Sequence, residues 1–309
     1  MTRKSGLAWL AAAAAGALGL FAGSDSATAQ APAITRRVDL ELVLAVDVSR
    51  SMDEQEHALQ RDGYVQAFRH KDVIAALMSG PEGRIAVTYM EWAAQTYQII
   101  PWTIIDSEAA ALAFADKLSQ AQPYAERRTS ISTALYAASD LITQNDIASH
   151  RQAIDVSGDG ANNAGPPVEE ARDAVLKQKI VINGLPILLN DDPRAMQGYD
   201  IPHLDRYYKH CVIGGPAAFI APVFNLNQLS ATIRKKLVME IAGLEIEPGT
   251  APIQYADVGP SPEPSAPGIR RVQLKLPTEK TDCMSGERRR GGGFGFDDFP
   301  PPPRQFPGN

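Results

Sequence analysis

The stretch LELVLAVDVSRSMDEQE, residues 40–56, decides how the chain is expected to fold. An almost unbroken apolar run ends abruptly at Asp47, and Ser49 and Ser51 follow at alternate positions. A continuous apolar run of this length is typical of a strand that is buried on both faces. The acidic segment that comes next looks like the start of a helix. The pattern therefore predicts a buried strand over Val38–Val46 with three oxygen-bearing side chains at its end.

Strand-like and helix-like patterns alternate along the chain. Strands are predicted at Val38–Val46, Arg84–Trp92, Thr96–Trp102, Gln152–Val156 and Ile180–Leu188, with a final strand within Cys211–Val223. Helices are predicted at Glu54–Leu77, Asp106–Leu118, Ile131–Thr143, Pro167–Lys177, Ile201–Lys209 and Gln228–Ala242. Asp106 is the expected N-cap of its helix. This alternation predicts an α/β fold, a doubly wound, mostly parallel central sheet with helices on both faces. A tight turn near Ala93-Ala94 adds one antiparallel edge.

Polar groups follow the predicted strands at their carboxyl ends, where ligands bind in sheets of this type. Asp47, Ser49 and Ser51 follow the first strand, Thr129 lies in the loop RRTSIST, and Asp159 lies in the turn GDGANN. Two carboxylates and three hydroxyls form an all-oxygen set, which suits a hard cation such as Mg²⁺. Hydroxyl ligands add no charge, so the ion stays incompletely neutralised. Such a site would attract a further carboxylate from outside.

This pattern resembles the von Willebrand factor A domain. DVSRS fits the D-x-S-x-S of that family, TSISTAL fits its threonine loop, and SGDG fits its later Asp-Gly turn. Together they resemble the metal-ion-dependent adhesion site. The resemblance implies a Rossmann-like fold in which Ser49 and Ser51 bind the ion directly. It implies that Thr129 binds directly or through water, and that Asp47 and Asp159 act mostly through water.

The wider setting is similar to a subgroup of exported bacterial proteins that has this fold and no known function. The similarity covers roughly Val38 to Gly243 and is carried by VDLELVLAVDVSRSM, RIAVTYMEWA, DVSGDGANN, INGLPI and VIGGPAAF. The chain departs from many members of the larger family at Arg127-Arg128, where small glycines are common before the threonine. Two cations there would narrow the site or recruit an acidic ligand.

Both ends of the chain are predicted to lie outside the domain. Residues 1–29 have the layout of a secretory signal peptide, with a basic start, an apolar run too short to span a membrane and a small-x-small site. Residues 30–37 are a predicted linker, and residues 38–243 form the domain. Residues 244–309 hold 12 of the 23 prolines and are predicted to be a disordered tail. We therefore expect a periplasmic or secreted protein without a stable membrane span, and an uncleaved membrane anchor is the alternative.

The cysteines and the charge limit the partners. Export permits a disulfide between Cys211 and Cys283, but two cysteines make no framework and leave the pairing open. The net charge of −6 is modest, and the domain shows no basic stripe with interleaved aromatic residues. Nucleic acid is therefore not expected as a partner.

The five site residues are compatible with more than one function. In a binding module, the ion (Mg²⁺, or Mn²⁺ or Ca²⁺) bridges to an Asp or Glu of a protein partner. In a hydrolase, the same ion acts as a Lewis acid or generates hydroxide. In a scaffold, the ion only stabilises the fold. Catalysis needs a positioned base, and spacing alone places no His, Lys or Glu there, which favours binding.

A purely structural interpretation of the same residues also exists. Asp47 and Ser49 would cap the following helix, and Asp159 would make an Asx turn with Gly160. Capping accounts for one oxygen in each loop. It does not account for the convergence of three loops.

Overall fold

A computed structural model of the chain describes residues 37–122, 127–189, 203–243 and 281–289. The predicted signal peptide, almost all of the predicted linker and most of the predicted tail lie outside the described residues. Within the described ranges, no helix has both the length and the apolar character needed to cross a bilayer.

Five strands and eight helices make up the described part of the chain. The strands are β1 (Val38–Asp47), β2 (Ile85–Trp92), β3 (Thr96–Ile105), β4 (Ser149–Gly158) and β5 (Val181–Pro186). The helices are α1 (Glu54–Phe68), α2 (Lys71–Leu77), α3 (Glu108–Ser119), α4 (Ile131–Thr143), α5 (Val168–Lys177), α6 (Leu204–Tyr207), α7 (Leu226–Ala242) and α8 (Ser285–Arg289). A π-helical segment, Tyr208–Val212, continues α6.

The strands form one sheet in the order β3-β2-β1-β4-β5. β1 lies in the centre and pairs in parallel with both β2 and β4, while β5 is parallel to β4 and β3 is antiparallel to β2. The predicted mostly parallel, doubly wound sheet with one antiparallel edge is confirmed. The strand order reverses between β1 and β4, and sheets of this class bind ligands at the carboxyl ends of such strands.

The apolar run of β1 is buried because helices cover both faces of the sheet. Leu40, Leu42 and Leu44 belong to a core cluster with residues of α1, α2, α3 and α7. Val43 and Ala45 belong to a second cluster with residues of α4, α5, α6 and the π-helical segment. All ten residues of β1 are buried. The continuous apolar pattern thus reflects two separate cores.

The two edges of the sheet are irregular. On the β3 edge, the register with β2 shifts around Tyr89, and Pro101 is exposed in the middle of the strand. On the other edge, residues 214–223 run beside β5 and the residue after it through three isolated bridges, Ile182 to Gly214, Gly184 to Ile220 and Ile187 to Val223.

The helical pattern predicted over Glu54–Leu77 is divided into two helices. α1 ends at Phe68, and the ring nitrogen Nδ1 of His70 accepts a hydrogen bond from the backbone N–H of Asp72 at 3.2 Å, which caps α2. Asp106 is not the N-cap of α3. Ser107 takes that role, because its hydroxyl accepts from the N–H of Ala110.

The strand predicted within Cys211–Val223 does not form among the described residues. The chain continues from α6 as a π-helical segment up to Val212, and Gly215 and Ala217 have positive φ. A left-handed backbone cannot continue a strand, so only the isolated bridges beside β5 remain.

Residues 281–289 differ from the disorder that composition predicts for the tail. Cys283 forms a disulfide with Cys211, which settles the pairing that the sequence left open. The short helix α8 follows directly after the bridge. A covalent tether lowers the entropy cost of ordering these residues against the domain.

Candidate metal centre

The loop that leaves β1 brings two hydroxyls together. Asp47 is fully buried, and its Oδ1 accepts a hydrogen bond from the backbone N–H of Ser49 at 2.7 Å. This bond folds the loop back on the end of the strand. The hydroxyl oxygens of Ser49 and Ser51 then lie 2.8 Å apart.

Asp159 reaches the same loop from the end of β4. The hydroxyl of Ser51 donates to Asp159 Oδ1 at 2.7 Å, a contact between residues 108 positions apart in the chain. The contact forms because β1 and β4 are parallel neighbours whose carboxyl ends meet at one edge. Asp47, Ser49, Ser51 and Asp159 are thus linked by consecutive hydrogen bonds.

Thr129 is joined to this group through Asn163. The N–H of Thr129 donates to Asn163 Oδ1 at 3.0 Å, and the N–H of Asn163 donates to the carbonyl of Thr129 at 2.8 Å. A Cβ placed on Gly160 would lie 3.6 Å from Thr129 Oγ1, so the hydroxyl lies beside the turn that carries Asp159. The structure therefore brings all five predicted residues to one edge of the sheet.

The second oxygen of Asp47 is buried and unpartnered. Asp47 Oδ2 and the hydroxyl of Tyr208 are both buried without a hydrogen-bond partner in the part of the chain that the structure describes. A Cβ on Gly158 would lie 2.7 Å from Asp47 Oδ2 and 2.9 Å from Tyr208 Oη, so only glycine leaves room for both. Burial raises the pKa of Asp47 well above its usual range, and the charge of Asp159 raises it further.

These residues fit a hard divalent cation. A buried carboxylate oxygen without a partner, beside a second carboxylate, is costly in the absence of a positive charge. The three hydroxyls supply neutral oxygen ligands of the kind that Mg²⁺ and Ca²⁺ accept. No cluster of three or more His, Cys, Asp or Glu side chains suited to a metal occurs within the described ranges, so the hydroxyls are essential to this candidate.

The capping interpretation of Asp47 and Ser49 is wrong. Asp53 is the N-cap of α1, since its Oδ1 accepts from the N–H groups of Gln55 and Glu56, both at 2.8 Å. Glu56 Oε2 accepts from the N–H of Asp53 in return, which completes a capping box. The oxygens of Asp47 and Ser49 are left for another role.

Sequence reasoning missed three side chains around the site. His57 Nε2 lies 3.0 Å from the carbonyl oxygen of Ser49, and burial lowers the pKa of this histidine. Its position in the first turn after the Asp53 cap was a signal that could have placed it there. Tyr208 and Asn162 reach the site through long-range packing, and no local pattern marks them.

Arg128 has a backbone conformation that favours glycine. Its φ is 79°, in the left-handed region that favours glycine, whereas Arg127 does not share this conformation. A non-glycine residue held there costs about 1–2 kcal/mol. Strain of this kind is typical of functional loops.

The chain matches one protein family over most of the domain. The family described as Protein of unknown function (DUF1194) matches residues 37–245. No protein of curated function matches the chain.

Three solved structures are similar in fold. Proximal thread matrix protein 1 from the mussel byssus, with a zinc-occupied MIDAS motif, is 13% identical over 66% of this chain and 46% of its own, with a TM-score of 0.48. BatB from Bacteroides thetaiotaomicron is 18% identical over 66% of this chain and 100% of its own, with a TM-score of 0.43. A von Willebrand factor type A protein from Catenulispora acidiphila is 12% identical over 66% of this chain and 43% of its own, with a TM-score of 0.45.

The match spans less than half of the mussel protein's length. The confirmed part of the prediction is the α/β fold itself, a mostly parallel sheet with helices on both faces.

Proposed function

This chain belongs to the family described as Protein of unknown function (DUF1194), and we propose that it is an exported protein-binding module that depends on a divalent metal. The observation that carries the proposal is that three loops meet at one edge of the sheet, where Ser51 bonds to Asp159 and Asn163 bonds to Thr129. In the first of these loops, Asp47 Oδ2 is buried without a hydrogen-bond partner among the described residues. Ser49 and Ser51 follow Asp47 in the same loop, and their hydroxyl oxygens, 2.8 Å apart, can serve as neutral ligands of an ion.

Each residue has a distinct task in this proposal. The hydroxyls of Ser49 and Ser51 hold the ion directly, and Thr129 holds it directly or through water. Asp47 fixes the loop through the N–H of Ser49, and Asp159 fixes Ser51, so both carboxylates are engaged in positioning. A bound ion supplies positive charge and a coordination position for an outside oxygen.

The partner is proposed to present an Asp or Glu side chain. Hydroxyl ligands leave the charge of the ion to be balanced by carboxylates, and Asp47 and Asp159 act through water. Arg127 and Arg128, directly before Thr129, add positive charge at the same edge. An acidic partner is favoured by both contributions, and Mg²⁺ is the first candidate ion, with Mn²⁺ or Ca²⁺ as alternatives.

Export is supported by the disulfide and by the layout of the N-terminal residues. A disulfide between Cys211 and Cys283 persists in an oxidising compartment and is rare in the bacterial cytosol. We therefore propose that the protein works in the periplasm or outside the cell.

The test of the metal site is thermal unfolding of the mature chain, prepared with EDTA and titrated with Mg²⁺, Mn²⁺ and Ca²⁺. At an ion concentration about 100 times the Kd, a native-state ligand adds about 2.7 kcal/mol of stability. For a domain of this size, that is a rise in Tm of about 5–10 °C. The double variant Ser49→Ala/Ser51→Ala should show no rise.

A matched control replaces two serines at the ends of other helices. Ser79 and Ser119 donate only to carbonyls in the last turns of α2 and α3, so Ser79→Ala/Ser119→Ala should keep the response to metal. No rise with any ion in the wild type would refute the proposal. Binding is then tested with a partner that is captured in Mg²⁺, is released by EDTA and does not bind the double variant.

A further inference from the structure

A short piece of the C-terminal region, residues 281–289, is attached to the domain next to the candidate metal centre. We refer to it as the tail segment. Its Cys283 is bonded to Cys211 of the π-helical segment, 72 positions earlier in the chain. The hydroxyl of Thr281 lies 2.5 Å from Nδ1 of His210. One covalent and one polar contact therefore fix the start of the tail segment.

The far end of the tail segment contacts the turn that carries Asp159. We call residues 159–163 the Asp159 turn. Glu287 Oε1 accepts a hydrogen bond from the side-chain amide of Asn162 at 2.8 Å. Gly286 lies so close to this residue that a Cβ on it would be 2.1 Å from the carbonyl oxygen of Asn162. No larger residue fits at position 286 while α8 stays in place.

Asn162 connects the tail segment to the rest of the site. It is fully buried, and its N–H donates to the hydroxyl of Tyr207 at 3.2 Å. Its Oδ1 accepts from the N–H of Ser132 in the first turn of α4, at 3.0 Å. The next residue, Asn163, makes both hydrogen bonds to the backbone of Thr129. A shift of Asn162 would therefore move the Asp159 turn and, through Asn163, the backbone of Thr129.

We propose that the tail segment positions the candidate metal centre by holding Asn162, and that the Cys211–Cys283 disulfide keeps it in place. Gly286 and Glu287 are positioning residues in this arrangement, since neither touches the five site residues. The functional unit then includes residues 281–289. The effect on metal affinity rests on the proposed function, whereas the effect on the Asp159 turn does not.

The first experiment disrupts the contact and leaves the disulfide intact. Gly286→Ala forces a Cβ against the carbonyl of Asn162, and Ser285→Ala changes the neighbouring residue on the same helix as a control. Glu287→Ala removes the acceptor, whereas Glu287→Gln keeps an oxygen that can accept from Asn162. All variants are made in the full mature chain and purified under oxidising conditions.

Amide hydrogen exchange in EDTA measures the Asp159 turn without any metal. The N–H groups of Asn162 and Asn163 should exchange at least about tenfold faster in Gly286→Ala and Glu287→Ala, because a hydrogen bond to a carboxylate is lost. Ser285→Ala and Glu287→Gln should exchange like the wild type. Amides of β1 should be unaffected in all four variants, which shows that the fold is retained.

Reduction tests the tether itself. A dithiol reductant supplies two electrons and two protons, the bond between Cys211 and Cys283 breaks, two thiols form and the reductant becomes a disulfide. The same two amides should then exchange faster. The variant Cys283→Ser should behave like the reduced protein and should not respond to the reductant.

Calorimetric measurement of Mn²⁺ affinity tests whether the tail segment affects the candidate metal centre. Gly286→Ala, Glu287→Ala and the reduced wild type should bind Mn²⁺ about 3- to 10-fold more weakly, and Glu287→Gln should restore binding. Unchanged exchange at Asn162 and Asn163 in both disrupting variants would overturn the inference. If the wild type binds no Mn²⁺, the proposed function fails, and the exchange result still decides the role of the tail segment.

Discussion

Replacing Asp47 with asparagine is expected to stabilise the protein in the absence of metal and to abolish its response to metal. Asp47 is fully buried, and its Oδ2 has no hydrogen-bond partner within the described residues. Asparagine has the same shape and keeps an oxygen to accept from the N–H of Ser49. The amide group at the other position carries no charge and can donate to the nearby, unpartnered hydroxyl of Tyr208.

The size of the change in the free energy of unfolding follows from the burial of Asp47 and from the nearby carboxylate of Asp159. An unsatisfied buried polar group costs about 1–3 kcal/mol, and more when it is charged. In EDTA, Asp47→Asn should therefore raise the free energy of unfolding by about 1–2 kcal/mol. Saturating Mg²⁺ should raise that of the wild type by about 2.7 kcal/mol and that of the variant by nothing. Asp47→Asn should thus be the more stable protein in EDTA, whereas in saturating Mg²⁺ the wild type should be more stable by about 1 kcal/mol.

The assay is urea unfolding followed by circular dichroism, with each protein measured in EDTA and in Mg²⁺. Asp53→Asn is the matched control, because Asp53 lies in the same loop and asparagine caps helices as well as aspartate does. This control should keep the metal response. A variant Asp47→Asn that is less stable than the wild type in EDTA would refute the reasoning about the unpartnered oxygen. Retention of the full Mg²⁺ response would refute the assignment of Asp47 to the site.

Three further predictions concern other buried or strained residues. Lys236 is fully buried with its Nζ 2.6 Å from Asp155 Oδ1 and 2.5 Å from Glu240 Oε1, so Lys236→Met should cost about 3–5 kcal/mol of unfolding free energy in urea. Burial, and then the charge of Asp155, raises the pKa of Glu240 from 4.5 to about 7. The folded state therefore binds the proton of Glu240 more tightly than the unfolded state does, and the free energy of unfolding falls as the pH rises from about 4.5 to about 7. Glu240→Gln should lack this fall, which urea unfolding at several pH values measures. Arg128→Gly should raise Tm, with about 1 kcal/mol gained from relief of the left-handed backbone, whereas Arg127→Gly should not.

The sequence predicts the sheet well because its signals are local and strong. The apolar run of β1 ends within one residue of the predicted position, and α4 has the predicted bounds. The five site residues meet because parallel neighbouring strands end at the same edge, which follows from the fold class. Their role as metal ligands stays a prediction.

The remaining features depend on contacts that no local pattern encodes. Asp53 caps α1, a role that the alternative structural interpretation gives to Asp47 and Ser49. Several acceptors in one loop compete for the cap, and geometry decides among them. Asn162 bonds to Pro166, four positions away, and also to residues that are 30, 45 and 125 positions away. Composition alone predicts disorder for the tail, whereas residues 281–289 are held by a disulfide and by hydrogen bonds to His210 and Asn162.

The irregular edges of the sheet have a consequence for how the protein can associate. An exposed straight edge invites another chain to add a strand, which leads to aggregation or to recognition by β-augmentation. Here the β3 edge carries a register shift and Pro101, which has no N–H to offer, and the β5 edge is lined by residues 214–223. Partners are therefore expected to approach the loops at the carboxyl end of the sheet, and the isolated protein should resist growth into fibrils by edge-to-edge pairing.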